Sequence, residues 1–343
     1  MRPILAADTL QIEWTARCVL SCSNCTHFSG SFYDHPQLTF EQFKAIVDSL
    51  DGYLDAHPNG MIGAIGGDPL VHPEFEKFCL YAQKKIPRER HGLWTTFPKG
   101  KEHFAPLICE TFGNILLNDH TIPVKHAPIL VGIEEMIPAE EDIWPIVDRC
   151  WLGNHWSPVV NTKGAFFCEV AGSMAQLFQT EGGWELTPGW WKKVPKDYTA
   201  QMEEYCRKCG CAAPLERRQS HTAGQRDIDD ISPRNLERLK GKSRKVDKGL
   251  VAISDFKIDS SLVDEGRFGG GQYPAQEYKN SMYRQGIAAR YGILLVLNSR
   301  GYWEPTMMPE GYVQPPPPPE PLFQIAQAQS TAPKQATLGY TGL

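Results

Sequence analysis

The first 135 residues alternate short apolar runs with amphipathic stretches, a rhythm that restricts the chain to few folds. Strands are expected at 10–14, 61–65, 92–97, 114–118 and 129–133, and helices at 39–54, 73–85 and 104–112. Phe43, Ile46, Val47, Leu50 and Leu54 recur on one face of the first helix, and Thr39 with Gln42 offers it a capping box. Phe75, Phe78, Cys79 and Ala82 mark the buried face of the second, and Cys109 lies on the third. Strand–helix–strand alternation is the pattern of a parallel sheet or barrel. One more helix, 139–150, follows the fifth strand, too little chain for eight repeats. The expected fold class is α/β: a partial, open TIM-type β/α barrel of about five or six parallel strands.

Beyond residue 150 the rhythm changes. Short β runs at 158–161 and 165–167 flank Asn161-Thr162-Lys163-Gly164, a hairpin signal, and a helix is expected at 169–179. A loop with Trp184, Trp190 and Trp191 leads to a second helix ending in cysteines, giving a small hairpin-plus-helix domain. The boundaries follow as 1–149 for the barrel, 150–215 for this domain, 216–313 for an α+β extension and 314–343 for a tail. In the extension, 234–248 is rich in Lys and Arg and reads as a solvated helix or loop, with nucleic-acid contact as its less favoured reading. Gly269–Gly271 marks a loop, 278–291 a helix and 293–297 a strand. Five consecutive prolines and Gln-, Ala- and Thr-rich sequence read as disordered.

Compartment decides how the ten cysteines are read. No secretory signal opens the chain and no run approaches eighteen apolar residues, so neither export nor a membrane span is expected. A net charge of −5 favours no polyanionic partner. The expected location is cytoplasmic, where clustered cysteines bind metal or do chemistry rather than form disulfides. Eight fall in two groups: Cys18, Cys22 and Cys25, then Cys150, Cys168, Cys206, Cys209 and Cys211. Cys79 and Cys109 read as core residues, and Trp144, Trp151, Trp156, Trp184, Trp190 and Trp191 as packing of the second domain.

Cys18-x3-Cys22-x2-Cys25 puts three thiolates on one loop directly after the first strand. A [4Fe–4S] cube has four iron corners, so three thiolates leave one iron open to chelate a small molecule. Zinc is the alternative, with His27 as a fourth ligand. The loop resembles the signature of the radical SAM superfamily, and Gly66-Gly67-Asp68-Pro69, ending the second strand, resembles that superfamily's Gly-Gly-Glu-Pro motif. The resemblance implies S-adenosylmethionine (SAM) on the open iron, its methionine amino group at Gly66, Gly67, Asp68 and Pro69, and reductive cleavage to a 5′-deoxyadenosyl radical. Asn24 stands where many members have an aromatic residue, and Asp68 where Glu is usual. Thr95, Thr96 and Asn118, at the ends of the third and fourth strands, are further candidate SAM contacts. Asp119 and His120 are candidate catalytic residues at the same mouth, His120 being titratable near neutrality.

The second group, cysteines flanking a hairpin and closed by Cys206-x2-Cys209-x-Cys211, resembles the twitch subdomain, the shortened relative of SPASM. It implies one auxiliary [4Fe–4S] cluster, with Cys150, Cys168, Cys206 and Cys209 as ligands and Cys211 as a spare, an alternative ligand or a catalytic thiol; zinc is again the alternative. Such a cluster is able to take an electron from a substrate radical. The resemblance covers 10–211. It implies an oxidoreductase, or a related radical transferase or isomerase, acting on a natural-product intermediate, a sugar or a peptide, and served by a reductant such as flavodoxin or ferredoxin. A barrel starting by residue 10 leaves no room for a leader-peptide domain, which argues against a peptide maturase. Modification of a nucleotide or nucleic acid, and an electron carrier without catalysis, are the other readings.

Overall fold

Strand β1 (Thr9–Thr15) alternates polar and apolar side chains, yet all seven residues are buried. A strand with one wet face leaves its polar set in water; here both faces are covered. Leu10, Ile12 and Trp14 turn to one side, where Trp14 meets the rings of Phe43, Phe75, Phe78 and Phe112. Thr9, Gln11, Glu13 and Thr15 turn to the other.

The computed structural model describes residues 1–118, 125–150, 152–153, 158–213, 215–221, 225–255, 257–258 and 288–312. Met1–Pro309 forms one compact unit; of a second, Glu310–Leu343, only 310–312 are described. After β1 come β2 (Met61–Gly66), β3 (His91–Thr95) and β4 (Asn114–Leu117), each parallel to the strand before it. The remaining strands are β5 (Lys125–His126), β6 (Val159–Asn161), β7 (Gly164–Phe166), β8 (Arg218–Gln219), β9 (Asp229–Ile231), β10 (Val251–Ile253), β11 (Ile293–Leu297) and β12 (Trp303–Met307). The main sheet runs β11-β12-β4-β3-β2-β1-β6-β7, with β6 parallel to β1 and antiparallel hairpins at both edges. Two small pairs, β5 with β8 and β9 with β10, lie apart from it. This is a mixed α/β fold with a largely parallel central sheet, consistent with the expected open barrel.

The first four strands stand where the sequence put them; the fifth does not. Over 129–133 there is one bridge, Leu130 to Ile231, before Gly132 turns the chain into the helix Ile133–Met136. The fifth parallel strand is β6, one arm of the expected hairpin. A short apolar run fits a buried connection as well as a strand, and Ile129, Leu130, Val131 and Ile133 are all buried. The segments 150–215 and 216–313 therefore contribute edge strands to the sheet begun by β1, within the one unit Met1–Pro309.

The expected helices appear as Phe40–Ser49, Phe75–Ala82, Ala105–Thr111, Glu140–Asp148 and Glu169–Phe178. Thr39 and Gln42 exchange both capping-box hydrogen bonds. The first helix stops at Ser49 because Gly52 adopts a left-handed φ of 74°, after which Tyr53–Ala56 forms a separate turn of helix. All ten residues of Glu169–Phe178 are buried. Trp190 and Trp191 pack against the barrel helices, the Trp190 indole donating to Ser49 Oγ at 3.1 Å and Trp191 meeting the ring of Tyr53. The loop at Gly269–Gly271, most of the helix at 278–291 and the tail at 314–343 lie outside the described residues. Among the described residues no helix is long and apolar enough to cross a membrane.

Phe78 stacks on Phe43 with centroids 4.2 Å apart and also meets Trp14 edge-on, so it ties two helices to β1. Phe78→Ala is expected to cost about 3–5 kcal/mol in denaturant unfolding.

Candidate metal and cofactor centre

Cys18, Cys22 and Cys25 lie on the irregular chain between β1 and the helix Phe40–Ser49. The entry to this loop is pressed against the end of β2. Gly67 donates its N–H to Thr15 O at 2.7 Å and Asp68 to Arg17 O at 2.9 Å. A Cβ on Gly66 would run into the Thr15 carbonyl, and one on Gly67 into the carbonyls of Arg17 and Ala16. The two glycines are what lets the motif after β2 touch the chain entering Cys18.

Asp68 is fully buried, and its acceptor positions are taken. Oδ1 accepts from the Leu70 N–H (3.1 Å) and Thr95 Oγ1 (3.0 Å), and Oδ2 from the Thr96 N–H (2.8 Å) and Thr96 Oγ1 (2.7 Å). Burial raises its carboxyl above the ordinary value, while these donors oppose the rise. Asp68, Thr95 and Thr96 are thus brought together, as the sequence grouped them, but they bind one another: Asp68 ties the end of β2 to the end of β3. Pro69 opens the turn Pro69–Val71 with Asp68 as its cap. Asn118 is half-buried and donates its N–H to Thr95 O. Asp119 and His120 lie outside the described residues.

What holds the cysteine loop comes from far along the chain. Asn24, in the left-handed region at φ 50°, donates its backbone N–H to Asp229 Oδ1 at 2.7 Å. Its amide donates to Asp230 Oδ2 at 2.8 Å and accepts from the Asp230 N–H at 2.8 Å. Asn tolerates this conformation and supplies both a donor and an acceptor, a role an aromatic residue at the same place cannot fill. Lys245 Nζ donates to Cys22 O and to Asp229 Oδ1, both at 2.7 Å, with each charged side chain 3% exposed or less. His221, held by Asp227, brings Nε2 within 3.1 Å of Cys22 Sγ. The reading of 234–248 as a solvated helix or loop holds for Arg234, Lys240 and Lys248, which are exposed, but not for Lys245. Lys245 is buried, Lys242 donates to Phe178 O and Arg238 pairs with Glu134. The signal for the clamp was the acidic run Asp227, Asp229, Asp230 just ahead of the basic stretch; its target, a loop some two hundred residues earlier (|i−j| of 205 for Asn24–Asp229), was not legible.

Cys150, Cys168, Cys206, Cys209 and Cys211 lie within electrostatic reach of one another. Cys168 is the N-cap of Glu169–Phe178, and Cys150 follows Glu140–Asp148. Cys206 starts a short turn whose carbonyl accepts from Cys209, and Gly210 donates to Ile129 O. The folding that joins β6 to β1 thus brings a hairpin flank and a helix end together. Cys209 and Cys211 interact directly, and Cys206 and Cys211 each feel Cys150, Cys168 and Cys209.

Desolvation pushes the thiols of Cys18 (to about 12), Cys22, Cys25, Cys150 (to about 11), Cys168 and Cys206 up. Cys209 is the exception, lowered because the Cys211 thiol donates to it; Cys211 is raised in return. Buried thiols in such numbers need a positive group before they ionise, and iron supplies one. Cysteine thiolates are the usual ligands of iron–sulfur clusters, and both groups supply them. Among the described residues no group of three or more His, Cys, Asp or Glu side chains is arranged to hold a metal ion. His27, the fourth zinc ligand considered above, instead turns Nδ1 toward Ser173 Oγ at 3.3 Å and Glu13 Oε2 at 3.5 Å.

Because Lys245 and Asp229 neutralise each other out of water, Lys245→Met is expected to destabilise the protein by about 3–5 kcal/mol. The double variant with Asp229→Asn is expected to recover part of that loss, read as a double-mutant cycle in denaturant.

No family model and no curated protein matches the sequence. Among solved structures, the chain is similar to BtrN in complex with AdoMet and 2-DOIA, at 15% identity and a TM-score of 0.38, over 59% of this chain and 87% of that one. It is similar also to selenomethionine-labelled BtrN in an open conformation, at 13% identity and a TM-score of 0.36, over 62% of this chain and 95% of that one. A likeness this distant says nothing of which chemistry this chain performs.

Proposed function

We propose that this chain is a radical SAM enzyme with one auxiliary iron–sulfur cluster, oxidising or forming a bond in a small-molecule substrate. The reading rests on one juxtaposition: three cysteines on a loop after β1 whose entry is pressed against Gly66 and Gly67. A carrier of electrons has no use for a three-thiolate site with an open corner beside a glycine cradle.

Cys18, Cys22 and Cys25 would hold the first cluster. When bound, cluster and SAM supply reductive cleavage of SAM to a 5′-deoxyadenosyl radical that takes a hydrogen atom from substrate. The chain's own residues position this chemistry. Gly66 and Gly67 keep the end of β2 free of side chains where it meets the loop. Asp68 fixes Thr95 and Thr96 at the neighbouring strand end. Asp229, Asp230 and Lys245 hold the loop from behind. Four of Cys150, Cys168, Cys206, Cys209 and Cys211 would hold the auxiliary cluster, an acceptor for the electron left on substrate after hydrogen abstraction.

Anaerobic reconstitution with iron and sulfide is expected to load about eight irons per chain. SAM with dithionite should then give 5′-deoxyadenosine. In the variant Cys18→Ala/Cys22→Ala/Cys25→Ala the count should fall to about four and 5′-deoxyadenosine should vanish. Bound zinc and no SAM cleavage in the wild-type chain would overturn the proposal.

A further inference from the structure

Ser23, between Cys22 and Cys25, lies at the bottom of a hollow. A cavity of about 320 Å³ is lined by Ser23, Arg218, Gln219, Gln225, Arg226 and Asp227, among others. Ser23 is buried, whereas Gln219, Gln225 and Arg226 are exposed, so the cysteine loop supplies the floor and 219–226 the rim. The carboxylates here are already engaged. Asp227 Oδ1 accepts from Ser23 Oγ at 3.2 Å and from the His221 N–H at 2.9 Å. Asp230 accepts two N–H groups of Arg218. Arg226, by contrast, joins no hydrogen bond or ion pair among the described residues. Lys125, also exposed, stands opposite Gln219 in the antiparallel pair β5–β8. Residues directly opposite in such a pair turn to the same face. Arg218, Arg226 and Lys125 therefore gather at one hollow, on a chain whose net charge is −5.

Reductive cleavage of SAM uses one electron each time, and that electron has to enter from outside the protein. We infer that the basic cavity over Ser23 is the surface on which an acidic one-electron carrier protein docks to reduce the first cluster. The inference rests on the proposed function and extends it by naming where the electron arrives. Two observations of different kind carry it. The first is charge: the rim offers cations, and the carboxylates nearest to it are turned to partners within the protein. The second is position: the floor belongs to the loop of Cys18, Cys22 and Cys25, so a carrier seated here lies against the residues that would hold the iron. Electron-transfer complexes are small, short-lived and steered by charge, and a few cations around a hollow suffice for them. In the step itself the carrier loses one electron and the cluster gains it, with no bond made or broken. A small oxyanion would also find donors in Arg226 and Gln225, but that reading leaves unexplained why the hollow opens on the cysteine loop.

The test uses the full, anaerobically reconstituted chain with two probes, a flavodoxin and a [2Fe–2S] ferredoxin, and dithionite as the reductant that needs no docking. Docking is read by calorimetry with the oxidised carriers, and electron delivery as the rate of 5′-deoxyadenosine formation with the reduced ones. At least one carrier is expected to bind, with affinity falling about tenfold between roughly 50 and 300 mM salt. Arg226→Glu should weaken that binding about tenfold and Gln225→Glu about threefold. The ratio of carrier-driven to dithionite-driven rate should fall in step. Lys44→Glu, the same charge reversal on the exposed side of the helix Phe40–Ser49, should leave both readouts as in wild type. The inference is overturned if neither carrier binds, if Arg226→Glu and Gln225→Glu dock as wild type does, or if Lys44→Glu weakens docking as much. Inorganic phosphate that binds wild type and not Arg226→Glu, while carrier binding is unchanged, makes the cavity a small-anion site and overturns it too. Normal dithionite-driven turnover with no effect on the carriers sinks the docking surface alone. Bound zinc, or no 5′-deoxyadenosine even with dithionite, sinks the function on which it rests.

Discussion

The buried pair Asp229–Lys245 is the interaction on which the candidate centre depends. The cysteine loop is irregular, and irregular backbone must find hydrogen-bond partners outside itself when it is buried. Ser23, Asn24, Ser29 and Ser31 are all buried within it. Asp229 answers the Asn24 N–H and the Ser31 hydroxyl, and Lys245 answers the Cys22 carbonyl. Neither ion would tolerate that position alone. Each is neutralised by the other, and together they give the loop one conformation.

The interior of the sheet trades stability for chemistry. On the helix side of β1, Trp14 and its phenylalanine neighbours pack as an ordinary apolar core. On the other side, toward Glu169–Phe178, the same strand buries Gln11 and Glu13, and His27 faces the Glu13 carboxylate at 3.5 Å. The buried thiols tell the same story, since their desolvation disfavours the ionised form that metal ligation needs.

Much of this was legible in residue order. Short apolar runs located β1 to β4, and Thr39 with Gln42 announced the helix that follows the cysteine loop. The Cys-x3-Cys-x2-Cys spacing and Gly66-Gly67 marked the two ends of the contact now seen between Thr15 and Gly67. What failed did so for identifiable reasons. The run 129–133 was apolar because it is buried, not because it is a strand. The Gly52 turn was hidden inside a helical period. Lys245 looked like one cation in a solvated series, since nothing local says that its partner is Asp229 and its target Cys22. Glu13 was read only as part of a strand, since nothing local says that both faces of β1 are covered.

The clamp also fixes an order of events. Hydrogen bonds joining Asn24 to Asp229 and Asp230 span 205 and 206 residues. Contacts of such separation are made late, after the loop-closure entropy between them has been met. During synthesis from the N-terminus, the first three cysteines emerge long before the residues that hold them. In that interval Cys18, Cys22 and Cys25 sit on an unclamped, solvated loop, where their thiols are accessible to oxidants and to stray metal. The loop therefore acquires its single conformation only once residues 229–245 have been made.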